Sequence, residues 1–444
     1  MLASRFNQSC VHTPPPSRVP ALSSWEISSK IELPDDQTLI IKKMAASGST
    51  NDSMCRTNIE IVSEYSDRTD ILYTLTVQDP APEYTSPTQE PNDNSLAFRA
   101  SRALQILELG PVDHWTESAT ESDLWMLQYA LLALWPEQEL IVLTPQVIKQ
   151  AGLTSLRARI LTSGMGIESS GPPNHTDSPS LILLRSSFWQ GAGQGALSGT
   201  AFAPWVLPNS LHEGGHTRDH TPALVPGLSP ARSPLPKPKW EEEGDVYTRY
   251  IPHLQQTLSF RLINPHNKHD VATFAKWQDS DRVNDGWRQR GADSQEHLNY
   301  LLKQEPDPNT WGLIGYWDGD PWGYIEIYWA KESNIADLYD VRPFDRGFHA
   351  LVGEEKYRGE HRVRAWMSSV LHLIFLLDPR TDRAVSEPRA SNAKMVQYEC
   401  MNGGHVEKLI DLPHKRSALV LFPRERFFQL CPMAWTPAPE SKQQ

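Results

Sequence analysis

A histidine inside a short apolar segment, followed by a basic turn, is the part of this chain whose residue types best suit chemistry. His349 lies within residues 347–353, whose composition predicts a strand. Arg358 and Gly359 follow at a turn, and Arg362 stands in the first turn of the next predicted helix. Amide groups at a helix N-terminus attract phosphate, and a positioned histidine acts as a general base. The spacing therefore predicts a phosphate-binding turn beside a catalytic base.

The elements that must position this turn show helix and strand periodicity from residue 246 onward. The pattern predicts helices at residues 270–279, 294–303, 359–377 and 392–401. It predicts strands at residues 311–316, 322–329, 347–353, 384–389, 406–412 and 417–422. This order is typical of a mixed α/β domain with three layers. No internal repeat is visible in the sequence.

The N-terminal part of the chain predicts a separate α+β domain. Short apolar groups within residues 25–77 indicate strands, and residues 79–95 are typical of an exposed loop. Helical spacing follows at 95–109 and 121–135, and the apolar run at 181–184 predicts a closing strand.

Changes in composition divide the chain into five segments. A stretch rich in Gly, Ser, Pro and His separates the two ordered parts and is typical of a linker. The predicted segments are a disordered tail at 1–24, an N-terminal domain at 25–190, a linker at 191–245, a catalytic domain at 246–432 and a tail at 433–444.

Composition excludes several classes of function. The formal net charge is -12, from 54 acidic and 42 basic residues, which argues against a nucleic-acid partner or an anionic membrane. The 4 cysteines are scattered without a CxxC pair, so neither a disulfide framework nor a cysteine zinc site is expected.

The lack of recognisable targeting signals predicts a cytoplasmic protein. No apolar run is long enough for a transmembrane helix, and the N-terminus lacks the apolar core of a secretory signal. The C-terminal residues 441–444 differ from the Ser-Lys-Leu peroxisomal address. We expect a cytoplasmic protein with small-molecule substrates, and the sequence makes no prediction about its oligomeric state.

A zinc-peptidase motif occurs within the predicted linker. Residues 212–216 read His-Glu-Gly-Gly-His and match HExxH, which needs both histidines on one face of a helix. Gly214 and Gly215 are poor helix formers, and Pro208 and Pro222 flank the stretch. We therefore expect a flexible loop here and no metal site.

A second motif resembles a pyrophosphate loop. Residues 190–195 match Q-x-x-G-x-G, a pattern of acetyl-CoA-dependent acyltransferases, and they follow an apolar strand. The helix that should come next is interrupted by Gly199 and Pro204, so a loop is the better interpretation.

Four ordered stretches between residues 246 and 432 carry a family resemblance. They are residues 317–332 (WDGDPWGYIEIYWAKE), 345–349 (DRGFH) with Arg358 and Gly359, 378–381 (DPRT) with 387–389 (EPR), and 412–419 (LPHKRSAL). This part of the chain resembles the siderophore-biosynthesis acyltransferases, which are fungal enzymes that acylate N5-hydroxyornithine and bacterial hydroxylysine acyltransferases of the aerobactin and mycobactin type. The resemblance implies a GNAT fold, a degenerate GNAT-like domain in the N-terminal half, an acyl-CoA donor and no metal.

His349 and Glu387 are the expected catalytic pair. In such a fold their two strands are neighbours that splay apart, and the pantetheine arm enters the gap. Strand alternation places His349 on one face with Gly347 and Leu351, and Glu387 on one face with Val385. We expect His349 to accept the proton of the attacking hydroxylamine while Glu387 orients it, or the two to exchange these roles. The alternative for His349 is a strand histidine bonded to a backbone carbonyl.

Further residues are expected to contact the two substrates. The candidates for acyl-CoA binding are Leu351, Val352, Gly353, Arg358, Gly359, Arg362 and Asn392. The candidates for binding the amine substrate are Glu326, Tyr328, Trp329, Lys331 and Asp345. Strand alternation places Glu326 on one face with Trp322, Tyr324 and Tyr328, so it could hold an ammonium group within aromatic walls. Lys331, Arg346 or Lys415 would bind a carboxylate, and a salt-bridged structural role is the alternative for Glu326.

The phosphate turn departs from the usual pattern. Residues 358–363 lack the later glycines of R-x-x-G-x-G, and the acidic Glu354, Glu355 and Glu360 lie nearby. Arg358 and Arg362 would have to offset these charges if pyrophosphate binds.

The sequence therefore predicts an N-acyltransferase that transfers an acyl group, acetyl in the first instance, from CoA to N5-hydroxyornithine. The alternatives are another amine or polyamine N-acetyltransferase, and a catalytically inactive acyl-CoA-binding scaffold.

Overall fold

The structure is a computed structural model that describes most of the C-terminal part of the chain and the core of the N-terminal part. The described residues are 27–33, 38–45, 56–64, 69–78, 103–109, 121–150, 157, 160–161, 165–169, 179–191 and 245–435, except 292, 308 and 379. The linker, the HExxH motif and most of the Q-x-x-G-x-G motif lie outside the described residues.

The N-terminal half contains one sheet in the order β1-β2-β3-β4-β5-β6-β8-β7. Its strands are β1 (Ile27–Glu32), β2 (Thr38–Ala45), β3 (Arg56–Glu64), β4 (Thr69–Gln78), β5 (Leu104–Leu109), β6 (Leu140–Leu143), β7 (Gly166–Ser169) and β8 (Ser180–Leu184). Among the described residues of this half, the helices are α1 (Glu121–Leu134), α2 (Pro145–Gln150) and α3 (Arg185–Trp189). All neighbouring strands are antiparallel except the parallel pair β5 and β6.

One helix predicted for this half is contradicted by the structure where its residues are described. The prediction placed residues 95–109 in a helix, but 104–109 form β5 between β4 and β6. Leu104 and Ile106 face the core and alternate with less buried residues, as expected of a strand. A six-residue apolar run cannot be assigned to helix or strand by its periodicity alone, which explains the error.

The C-terminal half contains a second sheet in the order β15-β16-β14-β13-β12-β11-β10-β9. Its strands are β9 (Asp245–Ile251), β10 (Gln256–Leu262), β11 (Thr310–Trp317), β12 (Asp320–Trp329), β13 (Arg346–Val352), β14 (Arg383–Ser386), β15 (His405–Leu412) and β16 (Lys415–Pro423). Its helices are α4 (Lys268–Asp279), α5 (Asp281–Trp287), α6 (Ser294–Gln304), α7 (Glu360–Leu377), α8 (Ala393–Met401) and α9 (Arg424–Leu430). The mixed α/β fold class with two sheet-containing halves is confirmed.

Local sequence signals explain several of these elements. Asp293 caps α6 by accepting hydrogen bonds from the amides of Gln295 and Glu296. Asp318 and Gly319 join β11 to β12 in a two-residue turn, with φ angles of 48° and 80°. An Asp-Gly pair favours this turn because both positions require positive φ. The sequence pattern did not predict β9, β10 or α5.

The two sides of the C-terminal sheet carry different helices. The long helix α7 packs on one side, where Trp366, Leu371 and Phe375 join a core that includes Phe348 of β13. Helices α4, α5 and α6 pack on the other side, against Leu351 and neighbouring residues. Residues next to each other on β13 thus face opposite sides of the sheet.

A bulge in β12 changes the expected strand alternation. The register between β11 and β12 shifts after Gly315, so Trp322 has no paired partner there. Its ring therefore packs against Trp366 of α7, on the opposite side from Glu326. The prediction that Trp322 shares a face with Glu326 is wrong for this reason.

Buried polar contacts join the two halves. The hydroxyl of Tyr129 accepts a hydrogen bond of 2.8 Å from the amide of Tyr250. His372 lies 2.6 Å from the carbonyl oxygen of Trp189 and 2.9 Å from the hydroxyl of Tyr247. Burial lowers the pKa of His372 to about 3, so the ring is neutral and donates from Nε2 to the carbonyl.

In the part of the chain that the structure describes, no helix combines the length and the apolar character needed to span a membrane.

Candidate active site

His349 lies in the middle of β13, directly opposite Glu326 of β12. The Nδ1 atom of His349 is 3.2 Å from Oε2 of Glu326. Its Nε2 atom is 2.6 Å from Oε1 of Glu387, which follows the last residue of β14. One imidazole therefore bridges two carboxylates, and both of its nitrogens lie within hydrogen-bond distance of an acceptor. The partners of His349 are thus side-chain carboxylates.

Glu326 is buried beneath this histidine. Its Oε1 atom accepts hydrogen bonds from the Tyr324 hydroxyl at 3.1 Å, from the Gln304 amide at 3.0 Å and from the Tyr300 hydroxyl. Burial opposes its negative charge, but the contacts with His349 and the two tyrosines lower its pKa overall. Glu326 is therefore ionised and held in place.

Glu387 is equally constrained. Its Oε2 atom accepts a hydrogen bond of 2.9 Å from the hydroxyl of Tyr328, and Nζ of Lys415 lies 3.8 Å from Oε1. Lys415 also donates to the backbone oxygen of Glu387 at 2.6 Å. Burial opposes ionisation, but the charges of His349 and Lys415 lower the pKa of Glu387 to about 2.

The two carboxylates decide the charge of the histidine. Burial alone would disfavour the imidazolium, but Glu387 and Glu326 outweigh this effect and raise the pKa of His349 to about 10. At neutral pH the array therefore consists of a protonated imidazole between two carboxylates. The His349 side chain is still 39% exposed, so a substrate can reach it.

A gap in the sheet opens beside this array. The parallel strands β13 and β14 pair only at Arg346 with Ala384 and at Gly347 with Val385. The prediction extended this second strand to residue 389, but β14 ends at Ser386, and Pro388 lacks an amide hydrogen for a ladder. Beyond the last pair the strands separate.

A cavity of about 380 Å³ fills the gap. It reaches both sides of the sheet, because its walls include Trp287 and Tyr300 on one side and Trp366 and Met367 of α7 on the other. Its polar lining residues are Gln289, Glu326, Asn334, His349, Ser386, Glu387, Arg389, Asn392, Glu399, His414 and Lys415.

The predicted acyl-CoA contacts fall into two groups. Asn392 lines the cavity and caps α8 by accepting from the amide of Met395. The other group lies away from the cavity walls, from the end of β13 through the following turn to the start of α7, and comprises Leu351, Val352, Gly353, Arg358, Gly359 and Arg362.

The residues at the end of β13 already have partners within the protein. Leu351 packs in the core on the α4 and α6 side. The Gly353 amide donates to the Trp322 oxygen at 2.8 Å, and the oxygens of Val352 and Gly353 accept from Arg282.

The turn that follows presents basic side chains. Arg358 is 54% exposed and contacts Glu355 at 2.9 Å. Gly359 precedes α7 with a φ of 128°, a backbone conformation that favours glycine. Arg362 stacks over the rings of Trp317 and Tyr357. A phosphate at this turn would have to compete with Glu355 for Arg358.

Two of the predicted amine contacts lie at the array and three do not. Glu326 and Tyr328 both belong to the array. Trp329 is buried and donates from its indole to the Pro343 oxygen at 2.5 Å. Lys331 lies in a short turn after β12, and Asp345 is buried against Arg383, so neither lines the cavity.

Sequence reasoning missed several cavity residues. Trp287 lies edge-on to His349 with ring centroids 6.0 Å apart, and Tyr300 reaches Glu326 from α6. Both sit on elements distant in sequence, so no local pattern could place them at the site. Arg389 lines the cavity and was visible in the motif, but it was not singled out as a binding residue.

Within the described residues, no group of three or more His, Cys, Asp or Glu side chains is arranged to hold a metal ion. Parallel strands that separate over a cavity are the arrangement expected from the GNAT resemblance. Residues 266–412 match the acetyltransferase (GNAT) domain family.

Curated relatives extend the match beyond this domain. The hydroxyornithine transacylase SID3 of Ajellomyces capsulatus is 34% identical over 366 residues, which are 79% of this chain and 80% of that protein. The N(5)-hydroxyornithine:cis-anhydromevalonyl coenzyme A-N(5)-transacylase SIDF of Beauveria bassiana is 38% identical, over 56% of this chain and 58% of that protein. An Escherichia coli N(6)-hydroxylysine O-acetyltransferase is 40% identical over 42% of this chain and 58% of its own length. The chain belongs to the siderophore-biosynthesis N-acyltransferases of the GNAT superfamily.

A solved structure of aminoglycoside acetyltransferase AAC(6')-Ib with coenzyme A is also similar. It is 20% identical, with a TM-score of 0.35, over 39% of this chain and 98% of that chain.

Proposed function

We propose that this protein transfers an acyl group from acyl-CoA directly to the hydroxylamine nitrogen of N5-hydroxyornithine. The observation that carries the proposal is the Glu326-His349-Glu387 array at the mouth of the cavity between β13 and β14. The names of the fungal relatives supply the substrate class, since two of them are hydroxyornithine transacylases.

The array supplies a proton acceptor without a metal ion. The attacking nitrogen becomes acidic as it bonds to the thioester carbon, so even a weakly basic carboxylate can take its proton. Both nitrogens of the protonated His349 face carboxylates, so the ring has no free lone pair to accept a proton. Of His349 and Glu387, Glu387 is therefore the better proton acceptor. His349 then acts as the positive group that holds Glu387 in position, and proximity provides much of the remaining rate. This is the second of the two role assignments predicted from the sequence.

Two basic side chains can bind the carboxylate of the amino acid substrate. Arg389 lines the cavity, and its Nε atom is buried without a hydrogen-bond partner among the described residues. Lys415 stands on the same wall. A guanidinium binds a carboxylate with paired hydrogen bonds, which fixes the orientation of the amine chain. Glu326 already contacts four side chains, so it positions His349 and leaves the substrate ammonium to other groups.

The gap and the basic turn support an acyl-CoA donor. The cavity passes between the separated strands, where the freed backbone groups of β13 and β14 can bond a pantetheine arm. Arg358 is exposed at the N-terminus of α7, where pyrophosphate could replace its contact with Glu355. Acetyl is the acyl group that the sequence favours, and we propose it as the first donor to test.

The test combines purified protein with N5-hydroxyornithine and a series of donors that includes acetyl-CoA and longer branched acyl-CoA. Release of free thiol and formation of the hydroxamate are measured for the wild type and for His349→Ala. We expect turnover by the wild type and a loss of about 100-fold or more in kcat for the variant. The acyl-CoA dissociation constant, measured separately by calorimetry, should stay similar.

Two outcomes would contradict this function. Faster turnover of ornithine or spermidine than of hydroxyornithine would favour a general amine acetyltransferase. If neither the wild type nor His349→Ala shows turnover while both still bind acyl-CoA, an inactive scaffold would be favoured.

A further inference from the structure

A buried glutamate of α8 lines the cavity and has no role in the array. Glu399 is only 3% exposed, and its Oε2 atom has no hydrogen-bond partner among the described residues. Its side chain contributes to the cavity wall beside Ser386, Asn392 and Met395. An unpaired polar atom at such a depth costs free energy, so this oxygen of Glu399 requires an explanation.

Glu399 and His349 approach the gap from opposite sides of the sheet. Helix α8 packs beside α7, because Met395 and Val396 join the core that contains Trp366 and Phe348. His349 faces α5 and α6 on the other side, next to Trp287. Glu387 lies between the two groups. Glu387 and Glu399 line the same cavity, so a thioester held in the gap would have both carboxyl groups in its walls.

The surroundings of Glu399 keep it protonated. Burial raises its pKa to about 8, the Ser386 hydroxyl beside it acts in the opposite direction, and repulsion from Glu387 adds to the increase. Lys415 of the β15-β16 hairpin is the charged group that partly offsets this repulsion. Helix α7 presents Trp366 and Met367 to the same cavity, and neither titrates. Glu399 thus carries a proton at neutral pH while Glu387 does not.

We propose that Glu399 is the acid that protonates the coenzyme A sulfur when the thioester breaks. This inference rests on the proposed function. The nitrogen forms its bond to the acyl carbon, the carbon-sulfur bond breaks, and its electron pair stays on sulfur. The sulfur takes the proton of Glu399, and Glu387 takes the proton lost by nitrogen. Exchange with water returns both groups to their starting states, so one proton moves from nitrogen to sulfur in each turnover.

The pH dependence of kcat tests this role. In the wild type, kcat should fall as the pH rises through about 8, because Glu399 must be protonated to donate. In Glu399→Gln, which keeps the shape but cannot donate, kcat should be about 100-fold lower, and the decline near pH 8 should be absent. Glu399→Asp retains the acid group, so it should recover part of the rate together with the alkaline decline.

Several results would overturn the inference. Glu399→Gln with wild-type kcat, or with an unchanged alkaline decline, would show that Glu399 donates no proton in the rate-determining step. A wild type without any decline near pH 8 would do the same, even if the Gln variant does not fold. A purely structural role would lower the melting temperature of Glu399→Gln but leave the shape of the pH profile unchanged.

The experiment also separates this inference from the proposed function. If the wild type acylates only another amine, such as spermidine, the hydroxyornithine assignment fails. The same comparison of pH profiles, made with that amine, then still decides the role of Glu399. Difference infrared spectra of the resting protein give a second readout: a protonated carboxyl band present in the wild type at pH 7 and missing from Glu399→Gln is expected, and its absence from the wild type would contradict the inference.

Discussion

The two halves of this protein share one strand order but differ at one strand pair. If β1 to β8 are matched in chain order with β9 to β16, corresponding strands have corresponding neighbours in the two sheets. The parallel pair β5-β6 then corresponds to β13-β14. In both halves a helix connects the parallel strands, α1 in the first and α7 in the second. The chain is thus built from two similar folds, although the sequence shows no repeat.

The difference lies at the end of the parallel pair. In the N-terminal half, β5 and β6 pair at three consecutive positions, and the paired residues are mostly buried and apolar. In the C-terminal half, pairing stops after two positions and the cavity opens. Counting from the first parallel pair, Leu107 corresponds to His349 and Thr144 to Glu387. The shared fold therefore provides the frame, while the separated strands and a few polar residues provide the site.

The largest expected effect concerns the corresponding positions Glu387 and Thr144. Glu387→Gln should lower kcat by about 100- to 10,000-fold, because it removes the proton acceptor and a charge partner of His349. Thr144→Ala in the other half should leave kcat unchanged. Thiol release with saturating substrates measures both. Similar losses in the two variants would contradict the assignment of the chemistry to the C-terminal half.

The ion array should also make stability depend on pH in the C-terminal half. The pKa of His349 rises from its ordinary 6.5 to about 10, so its contribution is complete below about pH 6.5 and is lost toward pH 10. The pKa of Glu387 falls from 4.5 to about 2, so its contribution is complete above about pH 4.5 and is lost toward pH 2. The difference in unfolding free energy between wild type and His349→Gln should therefore be largest between about pH 4.5 and 6.5.

Denaturant unfolding at a series of pH values measures this difference. Leu107→Ala serves as the control in the N-terminal half, because its stability cost should not vary over the same range. A constant difference for His349→Gln from pH 5 to pH 10 would show that the imidazolium array does not form.

Matched helix caps offer a smaller and more local comparison. Thr144 accepts from the amide of Val147 at the start of α2, and Asn392 accepts from that of Met395 at the start of α8. Replacement of either by alanine should cost about 1 kcal/mol of stability. Asn392→Ala should in addition weaken acyl-CoA binding, because Asn392 lines the cavity. Calorimetric binding distinguishes the two, and equal acyl-CoA affinity in both variants would remove Asn392 from the binding site.

The smallest expected effect lies at the basic turn. Arg358→Ala removes an exposed cation, so the dissociation constant of acyl-CoA should rise by up to about fivefold, and less at high salt. Titration with acyl-CoA at two ionic strengths checks this result. An unchanged affinity at low salt would mean that the phosphates bind elsewhere.

Local patterns predicted most of the C-terminal half because its signals are strong and agree with each other. The helical spacing of α7, the apolar strand patterns at 311–316 and 322–329 and the apolar segment around His349 each predict an element that the structure contains. The family resemblance, together with strand alternation, also predicted that His349 and Glu387 would face the same gap, and the structure places them 2.6 Å apart.

Other parts of the site depend on contacts that no local pattern encodes. Glu326 was predicted to bind the substrate, and its contact with His349 was missed. That contact depends on the register of β12 and β13, which only the folded sheet shows. The bulge at Trp322 reverses a side chain that simple alternation places wrongly. Short strands such as β5 are ambiguous because burial in the sheet, rather than intrinsic preference, decides their conformation.

The sequence by itself determined the family, the mixed α/β class and the histidine and glutamate of the site, because these depend on ordered motifs and on periodicity along the chain. Only the tertiary structure decided that the imidazole bridges two carboxylates and that Glu399 is buried across the gap from it. These features arise from packing between elements far apart in sequence, where burial and neighbouring charges set both position and protonation.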